Sequence, residues 1–264
     1  MRTIKLIIAY DGTDFCGWQR QIARDPASGS NLPHRTVQAE VENALEKIHH
    51  HPVIITGSGR TDSGVHAAGQ VAGFRTDIES IKPENFVPAL NSLLPQDVRI
   101  MEAAEASPGF HARFDARCRT YRYHFICGRQ AFPGENRYAL QLWHRPQIDL
   151  LNAYCRILPG ERDCSLFAAS EGKSEGDNTV KSPFRYIYRS SFFMENRQLI
   201  FEICANAFLW KMVRSIAGTF LHYEQLNTGP EQMQEIISSN DRKLAGPTLP
   251  PHGLFLWKID YYRE

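Results

Sequence analysis

The chain has 264 residues, of which 42% are hydrophobic and 22% charged, and its formal net charge is +1. These values are typical of a globular protein with one large domain or two small ones, and they exclude a histone-like polycation. No run of about 18 apolar residues is present and the N-terminus reads as a strand rather than a signal peptide, so we expect no membrane segment and a cytoplasmic location. Six cysteines without a C-x-x-C pair indicate reduced, mostly buried thiols.

The N-terminal part predicts a strand, a loop and a helix in that order. Residues 3–10 alternate as a strand that ends at a turn, Asp11-Gly12. Residues 21–36 are polar and punctuated by Gly and Pro, which indicates a mobile loop. Thr36 is expected to cap the helix that follows. One face of that helix carries Val37, Val41, Ala44, Leu45 and Ile48.

This helix ends in three consecutive histidines, His49-His50-His51. A metal site is one interpretation, but consecutive residues point in different directions and no Cys, Asp or Glu has the spacing of a ligand. Histidines at a helix C-terminus are also favourable to the helix dipole. We therefore expect no metal here.

The central stretch of the chain runs from Gly57 to Phe74 and holds five of the 18 glycines. Pro52–Thr56 before it and Gln70–Phe74 near its end read as strands. The loop between them carries one cation, Arg60, and one anion, Asp62, which can face the same cleft. A carboxylate beside a guanidinium stays ionised, as an aspartate nucleophile must. An aspartate that closes a turn is the alternative, and spacing alone leaves both open.

The remaining elements complete two α+β halves. A helix at 83–94 and a strand at 97–105 give the first half the order strand, helix, strand, strand, helix, strand of a ferredoxin-like split βαβ unit. We therefore place an N-terminal subdomain at 1–107 and a C-terminal subdomain at 108–264. For the second half the patterns predict a long strand at 113–127, a helix at 149–158, strands near 164–168, 180–194 and 197–206, helices at 208–226 and 230–239, and a strand at 254–262. Residues 171–182 read as a flexible loop.

Charge differs between the halves, with a net −3 for residues 1–107 and +4 for residues 108–264. Residues 111–145 hold seven arginines, no lysine and two acids. A solvated surface normally mixes Lys and Glu, whereas arginine suits planar contact with phosphates and bases, so nucleic acid is the favoured partner. Because side chains alternate between the two faces of a strand, one face of the long strand carries Arg117, Arg119, Tyr121, Tyr123 and Phe125. By spacing alone Tyr121 is a core aromatic or a stacking platform.

Arg214 lies on the predicted helix 208–226, off the core stripe formed by Phe208, Met212, Ile216 and Phe220. Its side of the helix is shared with apolar residues. Such an arginine either extends its charged head to water or pairs with a buried carboxylate. Helical geometry leaves the two interpretations equal.

Five segments resemble the tRNA pseudouridine synthase I family in the family's own order along the chain. The central one, Gly59–Ala67, looks like the catalytic motif, in which the usual residue after the aspartate is Ala rather than Ser63. The others are Tyr10–Gln21, Phe110–Phe114 with Arg119–Tyr123, Ala205–Arg214, and Ala245–Thr248 with Gly253-Leu254. Relatives usually have fewer residues between Gln21 and the next helix, so residues 21–36 are an insertion.

The resemblance implies an α+β pseudouridine synthase fold, in which two ferredoxin-like subdomains share a mostly antiparallel sheet with a central RNA-binding cleft. It also implies that the enzyme isomerises uridines 38, 39 and 40 of the tRNA anticodon stem-loop, works as a homodimer and needs no cofactor.

The resemblance also assigns roles to individual residues of this chain. The resemblance makes Asp62 the nucleophile, Arg214 its partner, Tyr121 the residue that stacks on the target base, and Leu254 part of the pocket lining. We expect Arg60, Arg113 and Arg119 to bind the RNA. The residues alone leave two other functions open. One is an RNA-binding protein without catalytic activity, but binding of the RNA backbone gains nothing from an anion such as Asp62 in the groove. The other is an N-glycoside hydrolase, but that reaction requires a second carboxylate beside the bond.

Overall fold

The computed structural model describes residues 1–24, 31–169 and 182–262. Its helices are α1 Val37–His49, α2 Phe86–Asn91, α3 Ile148–Cys155, α4 Met212–Gln225 and α5 Pro230–Ser239. Its strands are β1 Arg2–Tyr10, β2 Ile22–Arg24, β3 Asn31–Pro33, β4 Thr56–Gly57, β5 His66–Thr76, β6 Val98–Ala106, β7 Ala116–Cys127, β8 Leu140–Leu142, β9 Gly160–Asp163, β10 Phe184–Glu195, β11 Gln198–Ala205 and β12 Leu254–Tyr261. Within these ranges no helix is both long and apolar enough to cross a membrane.

The chain divides into two compact units. The first comprises Met1–Arg117 and Phe255–Glu264, and the second comprises Cys118–Leu254. The break therefore follows Arg117 rather than residue 107, and most of β12 belongs to the first unit although it comes last in the sequence. A division at residue 107 would have left this strand in the C-terminal half.

The first unit has a four-stranded antiparallel sheet in the order β6-β1-β5-β4. With α1 between β1 and β4 and α2 between β5 and β6, this is the ferredoxin-like arrangement that the sequence predicts. β12 runs parallel to β5 and pairs with its first residues, where Phe255 faces His66 and Leu256 faces Ala67. The start of β5 is therefore held on that side by the last strand of the chain.

Helix α1 begins and ends as expected. The Thr36 hydroxyl accepts a hydrogen bond from Ala39 N, as a residue that caps a helix N-terminus should. His49 is the last helical residue, and its buried ring lies 2.9 Å from Leu45 O and 2.8 Å from Thr76 Oγ1. His51 instead lies at the surface, 3.3 Å from a carboxylate oxygen of Asp77. Two of the three histidines thus have separate structural contacts.

The second unit has the antiparallel sheet β7-β11-β10-β9, and β8 lies parallel to β7. Its core is aromatic: the rings of Tyr123 and Phe125 stack at 4.7 Å, as do those of Phe192 and Phe201. Phe220 of α4 packs edge-on against Phe201 at 6.4 Å. The six cysteines, all among the described residues, form no disulfide, and four of them are buried.

Several predicted boundaries are wrong for identifiable reasons. Residues 52–55 form no strand, because side chains of α1 satisfy the backbone there: Glu42 accepts from Ile55 N and Gln38 donates to Ile55 O. The loop predicted at 21–36 contains the β2–β3 pair, and its residues 25–30 lie outside the described ranges. Most of the loop predicted at 171–182 also lies outside them.

Three boundaries in the second half also move. The long strand begins at Ala116 rather than Arg113, since residues 111–115 form a turn in which Asp115 accepts from His111 N at 2.7 Å. A strand at 160–163 and a 3₁₀ turn at 165–167 replace the strand predicted near 164–168. Helix α4 begins at Met212, because Lys211 has a left-handed φ of 59°. Phe208 therefore does not belong to the stripe of α4.

Candidate active site

The loop that carries Asp62 lies in the first unit between β4 and β5, and hydrogen bonds fix it on both sides of the aspartate. Before Asp62, the Thr61 hydroxyl lies 2.8 Å from the Tyr10 hydroxyl, and Trp18 N donates to Thr61 O at 3.2 Å. After it, Ser63 Oγ and Gly64 N both donate to Phe15 O, at 3.1 and 3.3 Å. The backbone at residue 62 is thus held from both directions.

The turn itself is closed by backbone atoms, since Val65 N donates to the carbonyl oxygen of Asp62 at 3.2 Å. A carboxylate is not required for that bond. The Asp62 residue is half-buried, whereas Arg60 on the same loop is exposed. The loop therefore carries a half-buried aspartate two residues after an accessible cation.

The segment from Tyr10 to Trp18 forms the wall against which the loop lies. Gly17 has a φ of 100°, and a Cβ there would lie 2.6 Å from Thr61 O and 3.2 Å from the carbonyl carbon of Asp62. Only glycine allows this approach. The sequence shows Tyr10–Gln21 as a matching segment, but it does not reveal that these residues support the Asp62 loop.

In the second unit, Tyr121 and Arg119 lie on the first half of β7. Tyr121 is buried, with 9% of its surface exposed, and its ring meets Phe208 edge-on at 5.0 Å. Arg119 is half-buried and its Nη1 donates to Asn206 O at 2.6 Å. Asn206 and Phe208 belong to the matching segment Ala205–Arg214, so this segment contacts both residues. Arg113 lies exposed in the first unit.

Arg214 lies in the first turn of α4 and has 9% of its surface exposed. Its Nε donates to Leu249 O at 2.6 Å, and Leu249 N donates back to Arg214 O at 3.3 Å. Burial and then the positive charge of Arg214 lower the pKa of His252, whereas burial raises the pKa of Tyr123 against the opposing effect of Arg214. Arg214 is thus a buried cation with a fixed guanidinium, not an arginine that extends to water.

Residues 245–249 form a strap along α4 that holds Arg214. Gly246 N donates to Thr219 Oγ1 at 3.0 Å, and Pro247 O lies so close to Gly218 that a Cβ there would be 1.8 Å away. Arg242 adds bonds to Ser215 Oγ at 2.9 Å and to Thr248 Oγ1 at 3.3 Å. The strap leads to Leu254, which is buried.

At least two of the seven arginines in the segment 111–145 are engaged in ion pairs with acidic side chains of the protein. Arg122 forms salt bridges with Glu195 at 3.1 Å and Glu202 at 2.8 Å. Arg129 forms a two-point pair with Glu135 and holds the pKa of that carboxyl down at about 2. The local charge of the segment is therefore partly neutralised by pairs that the sequence does not show.

Comparison with known proteins gives the class of enzyme and the family. A family model described as tRNA pseudouridine synthase matches residues 6–115 and 155–262. The chain belongs to this family and is an RNA pseudouridine synthase, an isomerase.

Relatives with the same assigned activity align with this chain over nearly its full length. The tRNA pseudouridine synthase A of Treponema denticola is 52% identical, with 98% of this chain and 93% of the relative covered. That of Treponema pallidum is 48% identical, with 96% and 85% covered. The enzyme of the same name from an Exiguobacterium species is 36% identical, with 99% and 98% covered.

Proposed function

We propose that the protein converts uridine to pseudouridine at positions 38, 39 and 40 of the tRNA anticodon stem-loop, with Asp62 as nucleophile. The observation that carries the proposal is the Asp62 loop, which hydrogen bonds hold on both sides of a half-buried aspartate. Membership of an isomerase family removes the two alternatives, a silent RNA-binding protein and an N-glycoside hydrolase.

The reaction breaks the N1–C1′ bond, turns the uracil and rejoins it to C1′ through C5. Asp62 starts this step, either by attacking C1′ or by removing a proton from the sugar to give a glycal. We propose that the target uridine leaves its stack and lies on Tyr121, and that Arg214 and Leu254 take the roles that the family resemblance assigns to them. Arg60, Arg113 and Arg119 bind the RNA. The enzyme acts as a homodimer in the cytoplasm, where its tRNA substrate is found.

The test is Asp62→Asn, measured by pseudouridine formation in tRNA in single-turnover reactions. Asparagine is nearly isosteric and the backbone bond to Val65 N persists, so the variant is expected to fold and bind tRNA while turnover is abolished. Asp77→Asn, the same change at an exposed carboxylate of the first unit, serves as control and should keep full activity. Pseudouridine formation by Asp62→Asn at a tenth of the wild-type rate or more would refute the nucleophile assignment.

A further inference from the structure

We propose that Arg35, held by Asp97, is a positioning residue that keeps the Asp62 loop in its reactive geometry by clamping Phe15. The inference rests on the proposed role of Asp62. It concerns a residue at the end of the 21–36 insertion, to which neither the motifs nor the family resemblance gives a function.

The side chain of Arg35 has three directional contacts. Nη1 and Nη2 donate to the two carboxylate oxygens of Asp97 at 2.8 and 3.0 Å, and Nε donates to Glu40 at 3.3 Å. The hydrogen bonds that Arg35 donates to Asp97 raise the pKa of Arg35. A fork held in this way has one orientation, so the plane of the guanidinium is fixed.

That plane lies over the ring of Phe15, with Cζ 4.1 Å from the ring centroid. The backbone of Arg35 contacts the same segment, because Arg35 O accepts from Cys16 N at 2.9 Å. Arg35 thus restrains Phe15 through its ring and through the next peptide group. The carbonyl of Phe15 in turn accepts from Ser63 and Gly64, the two residues that follow Asp62.

A continuous line of contacts therefore runs from Asp97 through Arg35 and Phe15 to the backbone beside Asp62, all within the first unit. The ion pair is part-exposed, with 36% of the Arg35 side chain and 22% of the Asp97 side chain accessible. Such pairs contribute little to global stability, whereas displacement of a reacting group by an ångström can slow a reaction about 100-fold. The clamp therefore matters more for rate than for stability.

The experiment compares Arg35→Met, Arg35→Lys, Asp97→Asn and the double variant Arg35→Met/Asp97→Asn with wild type. The quantities measured are the single-turnover rate at saturating tRNA, the Kd for tRNA, the Tm, and hydrogen exchange of the peptide that contains Ser63 and Gly64. Glu105→Gln, which breaks another part-exposed ion pair of this unit, serves as control. Asp62→Asn is measured in parallel.

For Arg35→Met we expect a rate lower by about 10- to 100-fold, a Kd within about twofold of wild type and faster exchange at Gly64. Arg35→Lys should recover part of the rate, and the double variant should be no slower than Arg35→Met, because both changes break one clamp. Glu105→Gln should match wild type in rate.

Three results would overturn the inference: a rate loss explained by weaker tRNA binding, additive rate losses in the double variant, or unchanged exchange at Gly64 in all variants. If Arg35→Met does not fold, Asp97→Asn and Arg35→Lys decide by the same criteria. Activity in Asp62→Asn would instead refute the proposed function, so the two failures are distinguishable.

Discussion

Replacing Gly218 with alanine perturbs the contact between α4 and the strap at 245–249. A Cβ at this position would lie 1.8 Å from Pro247 O, so the strap must move by more than an ångström. Overpacking of this kind costs about 1–3 kcal/mol. The shift also weakens the two hydrogen bonds between Arg214 and Leu249, each worth about 0.5–1.5 kcal/mol.

Alanine has a better helix propensity than glycine, which stabilises the helix by about 1 kcal/mol. The net loss in the free energy of unfolding is therefore about 3 kcal/mol. For a protein of this size that lowers the Tm by about 6–12 °C. Because Leu249 orients the Arg214 guanidinium, the single-turnover rate should fall even at temperatures where the variant is fully folded. Thermal unfolding and single-turnover pseudouridine formation measure the two effects.

Gly73→Ala is the matched control. An added Cβ at Gly73 would meet the Phe110 ring at 3.5 Å and Ile4 O at 3.9 Å, both ordinary van der Waals distances, so stability should be unchanged or slightly higher. If Gly218→Ala unfolds at or above the wild-type Tm, the packing of the strap is not tight and the reasoning is wrong. If it is destabilised but keeps its full rate when folded, the strap does not position Arg214 for catalysis.

Two further predictions concern RNA binding. Tyr121→Phe should keep the stacking surface and tRNA affinity, whereas Tyr121→Ala should weaken binding by about 1–3 kcal/mol in filter-binding or fluorescence titrations; if both variants equal wild type, Tyr121 is a core residue only. In salt titrations, Arg113→Gln should reduce the slope of log K against log salt by about 0.7–0.9, because Arg113 is one of the exposed arginines proposed to bind the RNA. Arg122→Gln should leave the slope unchanged and lower the Tm, since it removes the salt bridges of Arg122 with Glu195 and Glu202. The opposite pattern would contradict this assignment of the arginines.

The sequence predicts most elements of this fold because their signals are local. The cap at Thr36, the alternation in β1 and the helix at 230–239 each depend on neighbouring residues, and the structure has them at the expected places. The strand predicted near 164–168 is wrong although a local signal exists. Asp163 accepts from Ser165 N at 2.8 Å and so ends β9 in a turn.

Other features depend on contacts that no local pattern encodes. Val53 and Ile55 are buried like strand residues, but the hydrogen-bonding partners of Ile55 are side chains on α1 rather than a neighbouring strand. The composition of the segment 111–145 likewise does not show that Arg122 is paired with acidic side chains, because Glu195 and Glu202 lie more than 70 residues further along the chain. Ion pairs of this range become visible only once strand neighbours are known.

The Asp62 loop shows why a match in two separate segments is stronger than a catalytic-looking aspartate alone. Taken by itself, an aspartate two residues before a Gly is more typical of a turn than of a nucleophile. In the structure the turn is closed by the Asp62 carbonyl. Trp18 N and Gly17 lie against the Thr61 carbonyl, and the Tyr10 hydroxyl lies within hydrogen-bond distance of the Thr61 hydroxyl. The two matching segments are therefore one structural unit, in which the first supplies the wall and the second the carboxylate. A substitution in the wall that leaves Asp62 in place should consequently impair the reaction, whereas the same substitution on a surface away from the loop should not.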